Sequence, residues 1–460
     1  MCGIFGYSSK NQDDYNFEWL EISKKTMHHR GPDSNALWFN EKKTVGFGFN
    51  RLSIIDLSSN SNQPYIYDND KFILVFNGEI YNYIELRKNL ETKGYKFATK
   101  GECEVILTAF DFFGTEFIKK IDGMFSIAIY EKKKNLIYCF RDKSGEKPFF
   151  YYKNDKSFYF ASEIKVLLNN DKIKKKINLQ SLSHFFKFGF TIESKTLIQG
   201  ICQLQPGHML IMDIKNNTLK IQNYFEIFQE KNNLDSAYKL KFFDKIFGKS
   251  VKRSLHSDVE SCILLSGGLD SSLIVAKASE LNSKINTFSV RNSNSKQFDE
   301  TKFARFISDY YGTNHTEVDI SEIKLDHLKL LAKINDNPIA DPTILPTFLI
   351  SKIVANNYKV AIGGDGADEL FGGYNHYQKA LYLILLKNFL PKFFTNKKVI
   401  NNNFYKSKYV KVLHFLSNDI STELLLTKYF LHTENLFKDK SYSYKTNIKQ
   451  KNIFDEVINK

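Results

Sequence analysis

Two hydrophobic patterns divide this chain, and one gives way to the other near residue 240. In the first half, short apolar runs such as Phe72-Ile73-Leu74-Val75-Phe76 and Ser126-Ile127-Ala128-Ile129-Tyr130 are separated by Asn, Gly and Asp. That pattern predicts a β-rich region with tight turns. Later in the chain, residues 241–255, 273–281 and 300–311 predict helices, and residues 262–265, 285–290, 315–318 and 359–362 predict strands. Strands alternating with helices imply a parallel sheet covered on both faces, with ligands at the carboxyl ends of its strands. The polar stretch 229–239 marks the boundary, giving one domain over 1–210 and a second over 230–460. Residues 375–460 read as helical and rich in Lys and Asn.

Composition narrows the class without changing this picture. With 460 residues, 42% hydrophobic and 25% charged, the chain is globular and long enough for two or three cores. No run of eighteen apolar residues and no basic-then-apolar leader is present, so neither a membrane span nor a signal peptide is expected. The net charge of +14 comes from lysines dispersed along the chain. It therefore describes a basic, solvated surface, and no nucleic-acid partner is expected. Five scattered cysteines with no Cys-x-x-Cys pair point to a reducing cytoplasm and away from zinc.

Chemistry concentrates in three places. Residues 262–276 run from an apolar strand through Ser266-Gly267-Gly268 into Leu269-Asp270-Ser271-Ser272 and a helix. Paired glycines admit close backbone approach, and the amides opening a helix attract anions. Asp270 adds a carboxylate there, which suits a phosphate chain carrying a metal. The second place, Gly363-Gly364-Asp365-Gly366-Ala367-Asp368-Glu369, repeats a strand feeding a glycine loop, now with three acids that call for a cation. The third is the start, Met1-Cys2-Gly3. Removal of Met1 would leave the Cys2 thiol beside its own α-amine, a group basic enough to help form a thiolate nucleophile.

Several further stretches occur in order: His29-Arg30-Gly31-Pro32-Asp33, Asn50-Arg51-Leu52-Ser53-Ile54-Ile55-Asp56, Asn77-Gly78-Glu79, Glu102-Cys103-Glu104 and Arg141-Asp142-Lys143-Ser144-Gly145-Glu146-Lys147-Pro148. Taken singly, Arg51 reads equally as an ion-pair member and Asn77-Gly78 as a hairpin turn. Together they resemble the class II glutamine amidotransferase domain, and residues 1–375 resemble the glutamine-hydrolysing asparagine synthetases. The resemblance implies a two-domain α/β fold. An αββα N-terminal-nucleophile hydrolase sandwich comes first, and a doubly wound parallel sheet with a pyrophosphate loop follows.

The resemblance also implies roles. Cys2 would attack the side-chain amide of glutamine, with Asn77 and the Gly78 amide as oxyanion hole. Arg51 would clamp the α-carboxylate within a pocket continued by Leu52, Ser53, Ile54 and Ile55, while Glu79 and Glu102 would receive the α-ammonium. Leu264, Ser266, Gly267, Gly268, Asp270, Ser271, Ser272, Val290, Gly363 and Gly364 would line ATP. Asp270 and Asp368 would hold magnesium, and Asp365 would serve the acyl-adenylate step. The implied reaction transfers ammonia from glutamine to aspartate at the expense of ATP, in a cytoplasmic homodimer. Alternatives are an amidotransferase acting on a sugar or peptide carboxylate, and a glutaminase-only or non-catalytic relative. The chain departs from the family at Glu102, where aspartate is usual, and at Asn50, where histidine is frequent. It departs again at Asn337, where an acid is common, and it lacks the family motifs expected after Tyr374, as if shortened.

Overall fold

The computed structural model describes residues 1–10, 16–192, 194–226, 236–281, 284–291, 293, 299–320, 323–375, 377, 382 and 385. Most of the stretch 375–460, expected to be helical, and most of the expected boundary 229–239 lie outside the described residues. The chain forms two compact units. One comprises Met1–Ile177, Glu193–Asn337 and Pro342–Gly363; the other comprises Asn178–Ile192, Pro338–Asp341 and Gly364–Lys460.

Among the described residues of the first unit, twelve strands build two antiparallel sheets. They are β1 (Gly3–Ser9), β2 (Ser34–Phe39), β3 (Val45–Arg51), β4 (Tyr65–Tyr67), β5 (Phe72–Ile80), β6 (Gly123–Glu131), β7 (Leu136–Arg141), β8 (Phe150–Lys153), β9 (Ser157–Ala161), β10 (Ile201–Gln203), β11 (His208–Asp213) and β12 (Thr218–Asn223). One sheet has the order β10-β8-β9-β1-β3-β2 and the other β12-β11-β7-β6-β5-β4. Strict alternation assigns the side chains of β5. Ile73 and Val75 join Val45, Phe47 and Phe49 in a core between the sheets, while Phe72, Leu74 and Phe76 face outward.

Those outward faces are not solvated. Helices α2 (Tyr83–Glu91) and α3 (Glu102–Phe113) cover the second sheet through Leu86, Leu90, Val105 and Ile106. The first sheet is covered by α1 (Phe17–Thr26) and α4 (Ile164–Leu168), whose Trp19, Leu20, Ile164 and Leu167 pack on Phe5, Tyr7 and Tyr159. A sheet buried on both faces needs continuous apolar runs, which explains why β3 and β5 contain so few polar residues. The layers are helix, sheet, sheet, helix, as the resemblance implies.

The same unit carries a parallel sheet of order β15-β14-β13-β16, built from β13 (Ser261–Leu264), β14 (Asn286–Arg291), β15 (Asn314–Asp319) and β16 (Val360–Ile362). On one face α6 (Ser236–Ser254), α7 (Leu269–Ser279) and α8 (Thr301–Tyr311) bury Val251, Ile274, Val275 and Ala304 against Ile263 and Leu265. On the other, α10 (Ile344–Val354) buries Ile350 and Val354 against Cys262, Phe288 and Val318; α9 (Leu325–Ile334) precedes it. The sheet is doubly wound. Its strand order runs outward from β13 to β15 and then reverses to β16, so the switch point lies between β13 and β16. Among the described residues no helix is long and apolar enough to cross a membrane.

The second unit contains α5 (Leu179–Phe188) and α11 (Ala367–Phe371). The Asn178 side chain caps α5 by accepting the amides of Gln180 and Ser181, each at 3.2 Å.

Candidate active site

One pocket of the first unit gathers Cys2, Arg51, Leu52, Ile54, Ile55, Asn77, Gly78, Glu79 and Glu102. Ser53 is the one expected glutamine residue missing from this lining. Its amide instead donates to Asp33 Oδ2 at 2.8 Å. Cys2 stands immediately before β1, and the Arg30 Nε–H donates to its carbonyl at 3.0 Å. Burial pushes the thiol up, opposed by its backbone hydrogen bond at Leu52. A buried thiol held protonated in this way needs a base to become a nucleophile. The terminal amine, on Met1 in this chain, is pushed down to about 6 chiefly by burial.

Asn77 and Gly78 are not a hairpin turn. Both lie inside β5, where they pair with Ser126 and Phe125 of β6. Asn77 is 1% exposed, and its buried Nδ2 has no partner among the described residues. An orphaned buried donor is costly, so a pocket that keeps one is prepared for an acceptor that arrives later. A Cβ on Gly78 would sit 2.1 Å from the Met124 carbonyl oxygen, so only glycine allows β6 to approach here.

Arg51 ends β3 and is buried, not a surface ion-pair member. Its Nη1 donates to the Ser58 carbonyl at 2.7 Å and to Asn62 Oδ1 at 2.8 Å, and its Nη2 donates to the Asp56 carbonyl. A guanidinium has five N–H groups. Three are engaged, leaving the Nε–H and one Nη2–H. In an arginine the Nε–H and the Nη2–H beside it form an edge that grips a carboxylate with paired bonds.

The two acids of the pocket are unequal. Burial raises Glu79, but the Lys147 ammonium and the terminal amine pull it back. Glu102 is pushed up to about 8, first by burial and further by Glu79, although the Ile80 amide donates to its Oε1. Glu102 opens α3, and its longer side chain spans from that helix to β5.

Sequence reasoning passed over several members of this pocket, Lys147 and Gln63 among them. Lys147 closes a turn organised by the buried Asp142, which accepts the amides of Ser144 (3.0 Å), Glu146 (2.9 Å) and Lys147 (3.0 Å). Its ammonium makes no hydrogen bond or ion pair among the described residues, and burial lowers its pKa. Gln63 imitates a strand. It accepts the Phe76 amide at 2.5 Å and donates to the Phe76 carbonyl at 3.1 Å, fixing the residue before Asn77. A glutamine before a proline carries no signal for such a role.

The expected nucleotide residues of this unit lie at or just beyond the carboxyl ends of three parallel strands. Leu264 ends β13, Val290 lies near the end of β14, and Gly363 follows β16. Gly267 has φ +83°, and a Cβ there would meet the Ala304 amide nitrogen at 2.5 Å. Gly268 begins α7 without a side-chain cap, so the first-turn amides of Leu269, Asp270 and Ser271 remain open to an anion. The Ser271 and Ser272 hydroxyls donate back to the Gly268 carbonyl at 3.2 and 2.7 Å, and Ser266 Oγ accepts the Gly268 amide at 3.2 Å.

Gly364, Asp365 and Asp368 belong to the second unit. Asp365 is exposed, and Asp368 sits in the first turn of α11, its carboxylate against the Gly373 backbone. Among the described residues no three His, Cys, Asp or Glu side chains form a protein cage for a metal. Magnesium on a nucleotide does not need one, since it takes one or two carboxylates together with phosphate oxygens and water.

Comparison with known proteins agrees with both halves. The glutamine amidotransferase domain family matches residues 1–225, and the asparagine synthase family matches residues 243–450. The chain is 36% identical over 393 residues to the glutamine-hydrolyzing asparagine synthetase 1 of Bacillus subtilis, covering 83% of this chain and 60% of that protein. It is 34% identical over 416 residues to the putative glutamine-hydrolyzing asparagine synthetase 2 of Methanocaldococcus jannaschii, covering 85% and 79%. The B. subtilis asparagine synthetase 3 is 31% identical, covering 83% and 64%. The chain thus spans about two thirds or less of the two B. subtilis relatives.

Proposed function

This chain belongs to the glutamine-hydrolysing asparagine synthetase family, and from that premise we propose that it makes asparagine from aspartate, glutamine and ATP. The observation that carries the glutaminase half is the pocket itself. A cysteine at position two, an orphaned amide donor and a guanidinium with one free edge all face the same space. In this reading residues 1–210 form the glutaminase and residues 230–460 the synthetase.

Arg51 holds the α-carboxylate of glutamine, and Glu79 with Glu102 holds its α-ammonium, which places the side-chain amide at Cys2. Once Met1 is removed, the freed amine takes the thiol proton and the thiolate attacks the amide carbon. Asn77 Nδ2 and the Gly78 amide stabilise the oxyanion that appears only in the tetrahedral intermediate. The C–N bond breaks, the amine returns the proton to the leaving nitrogen, and ammonia departs from a γ-glutamyl thioester. Water then releases glutamate.

Aspartate must be activated, because a carboxylate is too poor an electrophile for an amine. Its β-carboxylate attacks the α-phosphorus of ATP and pyrophosphate leaves. Ammonia captures the acyl-adenylate, giving asparagine and AMP. Leu264, Val290, Gly363 and Gly364 line the adenosine, while Ser266, Gly267, Gly268, Ser271 and Ser272 cradle the phosphates. Asp365 serves the adenylate step. Asp270 and Asp368 would hold magnesium, which would supply positive charge to offset that of the pyrophosphate. The enzyme would act in the cytoplasm as a homodimer.

Glutamine labelled with ¹⁵N at its side-chain amide tests the transfer. Label recovered in the asparagine side chain is the expected result. Unlabelled asparagine, or none, would overturn the proposal.

A further inference from the structure

We propose that Asp258, outside the glutamine-hydrolysing domain, is a positioning residue for the glutamine clamp. It would act through Asp56 on Arg51. The inference rests on the reading of Arg51 as the group that holds the α-carboxylate.

The relevant geometry is a loop of residues 51–58 that leaves β3 at Arg51. Asp56 lies at φ +48°, a left-handed conformation that aspartate tolerates better than most residues and that turns the backbone sharply here. That conformation turns the Asp56 carbonyl onto Arg51 Nη2 and leaves the Asp56 amide pointing away from the pocket. The amide is caught by Asp258 Oδ2 at 2.7 Å, and the Asp258 amide returns a bond to the Ile54 carbonyl at 3.0 Å. A reciprocal pair of bonds therefore brackets the turn across some two hundred residues of sequence.

A second anchor lies beside the first. The Ser53 amide donates to Asp33 Oδ2 at 2.8 Å, and the same oxygen accepts the Lys359 ammonium at 2.6 Å. Asp258 stands three residues before β13, and Lys359 immediately before β16. Those strands are neighbours in parallel register, Ser261 opposite Val360, so both anchors rise from one hydrogen-bonded base. The loop that presents Arg51 is thus fixed by the amino ends of the two strands whose carboxyl ends open into Ser266–Gly268 and Gly363. A site on a mobile loop gains precision from such outside support, and a guanidinium that must meet a carboxylate with two bonds is sensitive to small misplacement.

The test is steady-state glutamate release by the full chain. In Asp258→Ala the KM for glutamine rises about tenfold while kcat stays within about twofold, because the clamp loosens and the thiol chemistry is untouched. Asp258→Asn keeps an oxygen that accepts the Asp56 amide and restores KM to within about twofold of the wild type. Lys359→Met removes an exposed side chain from the second anchor and raises KM in the same direction, so the test stands even if one variant fails to fold. A wild-type KM in either Asp258→Ala or Lys359→Met would overturn the proposal, as would equal damage in Asp258→Ala and Asp258→Asn. Absence of glutamate release from the wild-type chain is a different result, which would remove the glutaminase reading itself.

Discussion

Leu52 and Cys2 exchange two hydrogen bonds across fifty residues of sequence. The Leu52 amide donates to Cys2 Sγ at 3.4 Å, and the thiol donates to the Leu52 carbonyl at 3.6 Å. In the proposed reading, the residue after the arginine that clamps glutamine holds the nucleophile, so carboxylate recognition and attack would share one stretch of backbone. An amide aimed at sulfur favours the thiolate and works against the burial that raises the thiol. Cys2→Ala is expected to lower glutamate release by about 10³-fold or more. Asparagine formation from added ammonium salt should persist, because that route bypasses the thioester. Loss of both activities together would contradict the separation of the two sites.

Arg51→Lys keeps the charge and removes the fork. Lysine cannot satisfy the Ser58 and Asp56 carbonyls and still offer two parallel donors to a carboxylate. The KM for glutamine should rise roughly 10- to 100-fold, the loss of about two charge-assisted bonds. An unchanged KM would place the α-carboxylate elsewhere.

Glu102 makes a prediction about pH. Its folded pKa is pushed up to about 8 from the model-compound 4.5. Below about pH 4.5 both folded and unfolded chains hold this proton, so the group favours neither. Between there and about 8 the folded chain keeps a proton that the unfolded chain has released, so stability falls as pH rises. The Tm of Glu102→Gln should therefore gain on the wild type as pH increases from about 5 to 8. A constant gap would contradict the assignment. If the ionised carboxylate receives the α-ammonium, the KM for glutamine should fall over the same rise in pH, and Glu102→Asp should have an altered KM.

Much of this was legible before any fold was known. The near-continuous apolar runs 72–76 and 126–130 report strands buried on both faces, and β5 and β6 extend four residues or fewer beyond those runs at either end. The parallel half was readable from its strand–helix alternation, with shifts at its edges. Helix α7 begins at Leu269 and not at 273, because Gly268 opens a turn that Asp270, Ser271 and Ser272 continue as helix. Arg51, Asn77, Gly78 and Glu79 stood out in the sequence by residue type, and the fold brings them to one pocket.

The supports of the site were not legible, for a physical reason. Gln63 acts through a side-chain amide that mimics backbone, and Lys147 is carried into the pocket by the Asp142 turn. Asp258 meets Asp56 only after the two halves are folded. Gln63 and Asp258 are defined by partners elsewhere along the chain, and the local Asp142 turn does not by itself reveal that Lys147 enters the pocket.

The central claim is that one chain couples glutamine hydrolysis to ATP-dependent amide formation on aspartate. The most direct measurement supplies glutamine, Mg²⁺-ATP and aspartate to the purified, Met1-processed chain and quantifies asparagine, glutamate and pyrophosphate together. Asparagine and pyrophosphate formed in equal amounts, with at least as much glutamate, is the expected result. Glutamate released without asparagine or pyrophosphate would contradict it, leaving a glutaminase whose acceptor is not aspartate.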